Sequence, residues 1–279
     1  MLYCLIYINI KLHQIRSFMI FIKYFVIIFS IVLYSVVSPC TESDKVTTSS
    51  GEFETSYFED EIYDPFEPIN RAIFSFNNVA DKIILEPAAK GYKKLPSPIQ
   101  SGIGNFLSNL KMPLVIVNQI LQGQGSNAVE STGRFIVNTT AGIFGLIDVA
   151  DKVGLEEKEE DFGQTLAKWG VGDGFYIVLP IFGPSNVRDT TGIILTYVTD
   201  PINAYAVNEG EAWILPVRTA TNAVDQRSKI IDEVNALRDN SVDYYAAVRS
   251  SYYQNRKAAI LDINDNELTP LPLISIEFE

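Results

Sequence analysis

The sequence predicts a mostly α-helical protein with at most one short extended segment, near residues 175–180. Two observations carry that prediction. From Ile69 onward apolar residues recur at helical spacing, in runs punctuated by proline near their starts and glycine near their ends. Only the stretch from Phe175 to Leu179, bounded by Gly174 and Pro180, is too short for a helix and aromatic-rich enough for a strand.

The elements follow in order. Residues 1–39 read as a signal peptide. Lys23 precedes an uncharged, mostly apolar run that ends at Val37, shorter than the roughly 20 residues of a spanning helix and nearer the about 7 to 15 of a secretory core. Met19 offers a better start, and residues 1–18 are then expected to be an over-extended beginning. Val37-Ser38-Pro39-Cys40 resembles the lipobox cleaved before a cysteine that then receives lipid, so Cys40 is the expected lipidation site. Pro39 departs from the small residue usual there. Thr41 after Cys40 points to outer-membrane sorting. Residues 40–62 are rich in Ser, Thr, Glu and Asp, a composition that cannot bury enough apolar surface to offset ordering entropy. They read as a flexible tether with a span on the order of 25 Å.

The helical domain is expected over residues 63–260. Asp64-Pro65-Phe66-Glu67-Pro68 starts its first helix, with Ile69, Ile73, Phe76, Ala80 and Ile83 along one side and Pro87 as its stop. Ser97 and Pro98 open a second, carrying Ile99, Ile103, Phe106, Leu107 and Leu110, which Pro113 is expected to interrupt and restart. Leu114 to Leu121 is apolar on nearly every face except at Asn118 and Gln119, until Gly123 and Gly125 end it. Ser126 to Thr140 is helical by Val129, Thr132, Phe135 and Ile136. Residues 141–150 hold two glycines in an apolar run, which predicts a tight helical hairpin with Ile143, Phe144, Leu146 and Ile147 at its tip.

Beyond the acidic stretch Glu156 to Asp161, a short helix runs toward Trp169. The extended segment follows, with Gly183-Pro184 turning after it and Ser185 capping a helix that ends before Asp200-Pro201. Glu211 to Ile260 is expected to hold two amphipathic helices. Residues 261–279 form an acidic, aperiodic tail.

Composition removes several functions. The chain has 22 Lys+Arg against 34 Asp+Glu, and no basic stripe follows the first fifty residues. That excludes nucleic acid, whose binding rests on Lys and Arg releasing counterions. Cleavage before Cys40 would delete the single histidine, His13, and leave Cys40 as the one cysteine. Histidine-assisted nucleophilic catalysis, histidine-ligated zinc and an internal disulfide go with them. No Gly-x-Ser-x-Gly elbow is present, and neither Gly102-x-Gly104 nor Gly170-x-Gly172-x-Gly174 has a phosphate-binding context. The carboxylates at Glu159, Glu160 and Asp161 match no calcium loop and read as solvated surface. The expectation is a protein that is no enzyme and has no cofactor or metal.

Several motifs then stand in a recognisable order. They run from Asp64-Pro65-Phe66-Glu67-Pro68-Ile69-Asn70-Arg71 through Gly104-Asn105-Phe106, Asn118-Gln119 and Gly133-Arg134-Phe135-Ile136-Val137-Asn138 to Gly145-Leu146-Ile147-Asp148-Val149-Ala150. Asp161-Phe162-Gly163-Gln164-Thr165-Leu166, Trp169-Gly170-Val171-Gly172, Leu179-Pro180-Ile181-Phe182-Gly183-Pro184-Ser185 and Arg188-Asp189 follow. Together they resemble the MlaA (VacJ) family over about residues 63–203. Residues 204–240 match by helical character alone.

The resemblance implies a ring-like helical body with a central amphipathic channel, seated at the periplasmic face of the bacterial outer membrane. It implies removal of mislocalised phospholipid from the outer leaflet, delivery to a periplasmic lipid-carrier protein, and association with a trimeric porin. Within that picture Ile143, Phe144, Leu146 and Ile147 are expected to gate the channel. Asn70, Phe74 and Asn77 are expected to frame it. The alternative is a structural envelope lipoprotein that braces porins without moving lipid, and a secreted lipid hydrolase is a third reading.

Overall fold

The computed structural model describes residues 62–262, all within one of the chain's two compact units, Glu59–Glu279. The signal segment, Cys40, nearly all of the tether and the tail beyond Asp262 lie outside the described residues. The first helix, α1 (Glu67–Ala80), continues through a wide turn of π-helix, Asp81–Leu85, into α2 (Glu86–Tyr92). Pro87 therefore does not stop the helix. In the wide turn the Glu86 N–H reaches the Asp81 carbonyl, one residue further back than in an α-helix, and this looser winding accommodates a residue that has no N–H of its own.

Pro113 is likewise absorbed. Helix α3 runs unbroken from Ser97 to Leu121, with Pro96 rather than Ser97 at its N-cap. It packs against α4 (Gly125–Thr140). A tight loop and the one-turn helix α5 (Val149–Lys152) follow. Helix α6 (Phe162–Lys168) opens with a reciprocal cap in which the Asp161 carboxylate accepts from the Gln164 N–H and the Gln164 side chain accepts from the Asp161 N–H.

The extended segment is present as β1 (Tyr176–Leu179), and it has a partner, β2 (Gly183–Asn186). The two pair antiparallel, Tyr176 opposite Asn186 and Leu179 opposite Gly183. The turn thus falls at Pro180 to Phe182, not at Gly183-Pro184, and Asn186 instead of Ser185 caps α7 (Val187–Thr199), accepting from the Asp189 N–H at 2.7 Å. Asp200 both ends α7 and caps α8 (Pro201–Asn208).

The C-terminal region holds three helices where two were expected. A break at Ile230 separates α9 (Ile214–Lys229) from α10 (Ile231–Asn240), and α11 (Tyr244–Ile260) completes the fold. Arg227 and Arg238 clamp these helices onto the wide turn through Asp81, at 2.9 and 2.8 Å. Burial would raise the Asp81 carboxyl, but the two guanidiniums hold it below the ordinary range.

The apolar core is small. It gathers Tyr176, Val178 and Tyr245 with Ile62, Ile73, Phe74, Tyr252 and Tyr253 around β1. Elsewhere buried apolar side chains such as Leu107, Met112, Leu114 and Phe162 are mixed with polar ones, and Arg134, Gln119, Asn118, Asn186 and Thr165 are among the most completely buried. Large apolar residues instead face outward, including Phe76, Ile83, Ile84, Ile120, Val129, Phe144, Ile181 and Phe182.

Candidate functional site

A cavity of about 880 Å³ opens between the helices, within the range of sites that hold drug-sized or larger ligands. One stripe of α3 supplies a wall through Leu107, Lys111, Leu114, Val115 and Asn118. Ile193 and Tyr197 of α7, Leu215 and Arg218 of α9, and Arg256 of α11 contribute others, as does the acidic segment Glu157 to Asp161. The lining is amphipathic, with an aliphatic row from α3 and single aliphatic residues from α7 and α9 beside fixed charges.

Most of those charges are paired. Arg256 donates two bonds of 2.7 Å to the Asp161 carboxylate, which burial would raise but the guanidinium holds low. Arg218 reaches Asp200 at 2.5 Å, tying α9 to the α7–α8 junction. Lys158 pairs with Glu130 at 2.8 Å. Glu160 differs: it is buried, accepts from the Gln122 amide at 2.8 Å, and has no cation within ion-pair distance among the described residues. Burial pushes its carboxyl above the usual range, and nearby Asp262 adds to the effect. This segment reads in the sequence as solvated surface, whereas Glu160 and Asp161 stand in the cavity wall. The signal that could have located Asp161 is its place three residues before Gln164, the spacing of a helix cap.

The loop after α4 lies on the other side of α3. At about 100° per residue, Gly102, Asn105 and Asn109 point roughly opposite to Lys111, Leu114 and Asn118. It is this opposite face that meets the loop: the Asn105 amide donates to the Leu146 carbonyl at 3.4 Å, and Gly145 packs against Asn109. Ile143, Phe144, Leu146 and Ile147 are all exposed, Phe144 at 72%.

The expected helical hairpin is instead a left-handed turn. Ile143, Phe144 and Gly145 have φ of 55°, 57° and 90° in succession, a conformation that costs roughly 1–2 kcal/mol for a residue with a side chain. Its base is held firmly. Arg134, buried, pairs with Asp148 at 2.8 Å, while the Asn138 side chain accepts from the Val149 and Ala150 N–H groups at 2.9 Å each and donates to Asp148.

Asn70, Phe74 and Asn77 stand against β1, and none is among the residues lining the cavity. The Asn70 amide donates to the Tyr176 carbonyl at 3.1 Å and its oxygen accepts from the Val178 N–H at 3.0 Å. Two helical turns on, Asn77 donates to the Leu179 carbonyl and accepts from the Ile181 N–H. The two asparagines thereby satisfy the free edge of β1 from a helix. Phe74 packs edge-on against Tyr245. Sequence reasoning did not single out Lys111, Arg218 or Arg256.

The family model for the MlaA lipoprotein matches residues 62–259. The chain belongs to the MlaA lipoprotein family. Its helical architecture accords with that of a solved structure described as the structural basis for maintenance of bacterial outer membrane lipid asymmetry. That chain aligns with a TM-score of 0.63 at 35% identity, over 71% of this chain and 98% of its own length. An MlaA-family relative in Haemophilus influenzae, the intermembrane phospholipid transport system lipoprotein MlaA, is 36% identical over 74% of this chain and 81% of its own. An uncharacterised protein of Rickettsia prowazekii is 39% identical over 84% and 93%. No helix among the described residues of this MlaA-family chain is long and apolar enough to cross a membrane.

Proposed function

We propose that this protein is the outer-membrane component of an intermembrane phospholipid transport system, removing mislocalised phospholipid from the outer leaflet and so maintaining lipid asymmetry. The observation that carries the reading is the 880 Å³ cavity, whose aliphatic stripe and fixed charges match a molecule that is apolar along its chains and charged at its head. Outward-facing apolar side chains support a position in the membrane, since helices with exposed apolar faces bind interfaces in proportion to the area buried. Lipidation of Cys40 and the tether behind it would keep the body at the periplasmic face. Transfer goes on to a periplasmic lipid carrier, with a trimeric porin as neighbour in the membrane. The role is conduction of lipid and not catalysis.

The loop bearing Ile143, Phe144, Leu146 and Ile147 controls access in this reading. Asn70, Phe74 and Asn77 frame the site indirectly, by holding the β1–β2 hairpin in place. The test is the amount of phospholipid exposed on the surface of intact cells lacking the protein, with and without a restored copy. Exposure is expected to rise on deletion and fall on restoration, and Ile147→Arg should restore it poorly. Unchanged exposure on deletion would leave a porin-bracing role instead. Release of fatty acid or lysolipid by the purified protein would point to a hydrolase.

A further inference from the structure

We propose that Lys111 is the phosphate-binding cation of the cavity, and that its partner is the phosphodiester of a bound phospholipid. The proposal rests on the reading that the cavity holds phospholipid. Four cationic side chains line the cavity, and three are occupied: Lys158 by Glu130, Arg218 by Asp200 and Arg256 by Asp161. Lys111 alone among them has no carboxylate within ion-pair distance among the described residues. It is half-buried in the same stripe of α3 as Leu107, Leu114 and Val115, one helical turn from each. A partly desolvated ammonium among aliphatic side chains is unfavourable until an anion meets it.

The surroundings choose between anions. Carboxylates outnumber cations in the lining, with Glu157, Glu159 and Glu160 close in sequence on one segment. A free phosphate ion would meet their repulsion with only Lys111 to offset it. A phosphodiester bearing two acyl chains carries a single charge, and its chains would lie along Leu114, Val115, Ile193 and Leu215. The site therefore favours phosphate attached to lipid over phosphate alone.

The test uses purified full-length protein, its Lys111→Ala, Lys111→Glu and Lys111→Arg variants, and vesicles containing either phosphatidylglycerol or diacylglycerol, which lacks the phosphate. Lipid captured per protein is counted after re-isolation. Lys111→Ala is expected to weaken phosphatidylglycerol capture by about tenfold, the loss of one charge-assisted hydrogen bond. Lys111→Glu should weaken it further, Lys111→Arg should retain it, and diacylglycerol capture should be the same in all four proteins. Equal phosphatidylglycerol capture by wild type and Lys111→Ala overturns the Lys111 assignment while leaving the cavity's role intact. A wild type that captures no phospholipid overturns both. Displacement of captured lipid by millimolar inorganic phosphate would show a general phosphate site and overturn the lipid partner. Matching thermal unfolding of the variants, followed by circular dichroism, establishes that each is folded.

Discussion

Single residues set the chemistry of this fold through polar groups that the interior must satisfy. Asn70 closes two backbone groups of β1 from a buried position, so Asn70→Ala leaves an N–H and a carbonyl without partners. The expected cost is about 2–4 kcal/mol, read as a lowered midpoint in urea. Glu160 gives a pH signature. Its folded-state carboxyl is raised above the ordinary value of 4.5, so the native state binds the proton more tightly than the unfolded chain does. Stability from this group is present at low pH and declines as pH rises from the unfolded value through the folded one. Glu160→Gln keeps an acceptor for Gln122 and removes the charge; it should therefore raise the melting temperature at pH 7, with the gain vanishing below about pH 4. A gain that persists in acid would rule out this origin.

Secondary elements show where local rules yield to context. The loop after α4 spends conformational energy at Ile143 and Phe144, both exposed and both left-handed. Phe144→Gly should leave stability unchanged or raise it by about 1 kcal/mol, although it deletes a large aromatic side chain. Gly142→Ala should do the reverse, because its new Cβ would sit 2.2 Å from the Ile147 carbonyl oxygen. Thermal melts of the two variants separate strain from packing. Most helices are legible in the sequence because apolar spacing and caps agree. What escapes is physical: prolines at 87 and 113 are tolerated because a wide turn and a long packed helix absorb them, and β2 is built from Gly183-Pro184-Ser185-Asn186, residues that signal turns. The break at Ile230 carries neither glycine nor proline. The cavity is less legible still, since its walls are assembled from residues between 107 and 262.

At the scale of the whole molecule, polar side chains are enclosed and large apolar ones face outward among the described residues. Arg134, Gln119 and Asn118 are enclosed while Phe76, Ile83, Ile84 and Ile120 are presented outward. The protein should co-float with phospholipid vesicles at high salt, where purely electrostatic binding is screened. Replacing Ile83 and Ile84 together by Asp should shift it toward the soluble fraction without altering its unfolding free energy by more than about 1 kcal/mol. Retention of full flotation in that double variant would place the apolar contact elsewhere.

Helix α3 faces the loop with one side and the cavity with the other, so the two never touch directly through its stripe of Leu107, Lys111 and Leu114. A message between them must cross the thickness of one helix, about 10 Å. If the loop controls access as proposed, a turn of α3 about its own axis, started at Gly102 and Asn109, would carry the change to Leu114. A cross-link that pins α3 to α4 would then uncouple loop motion from lipid capture while leaving each intact.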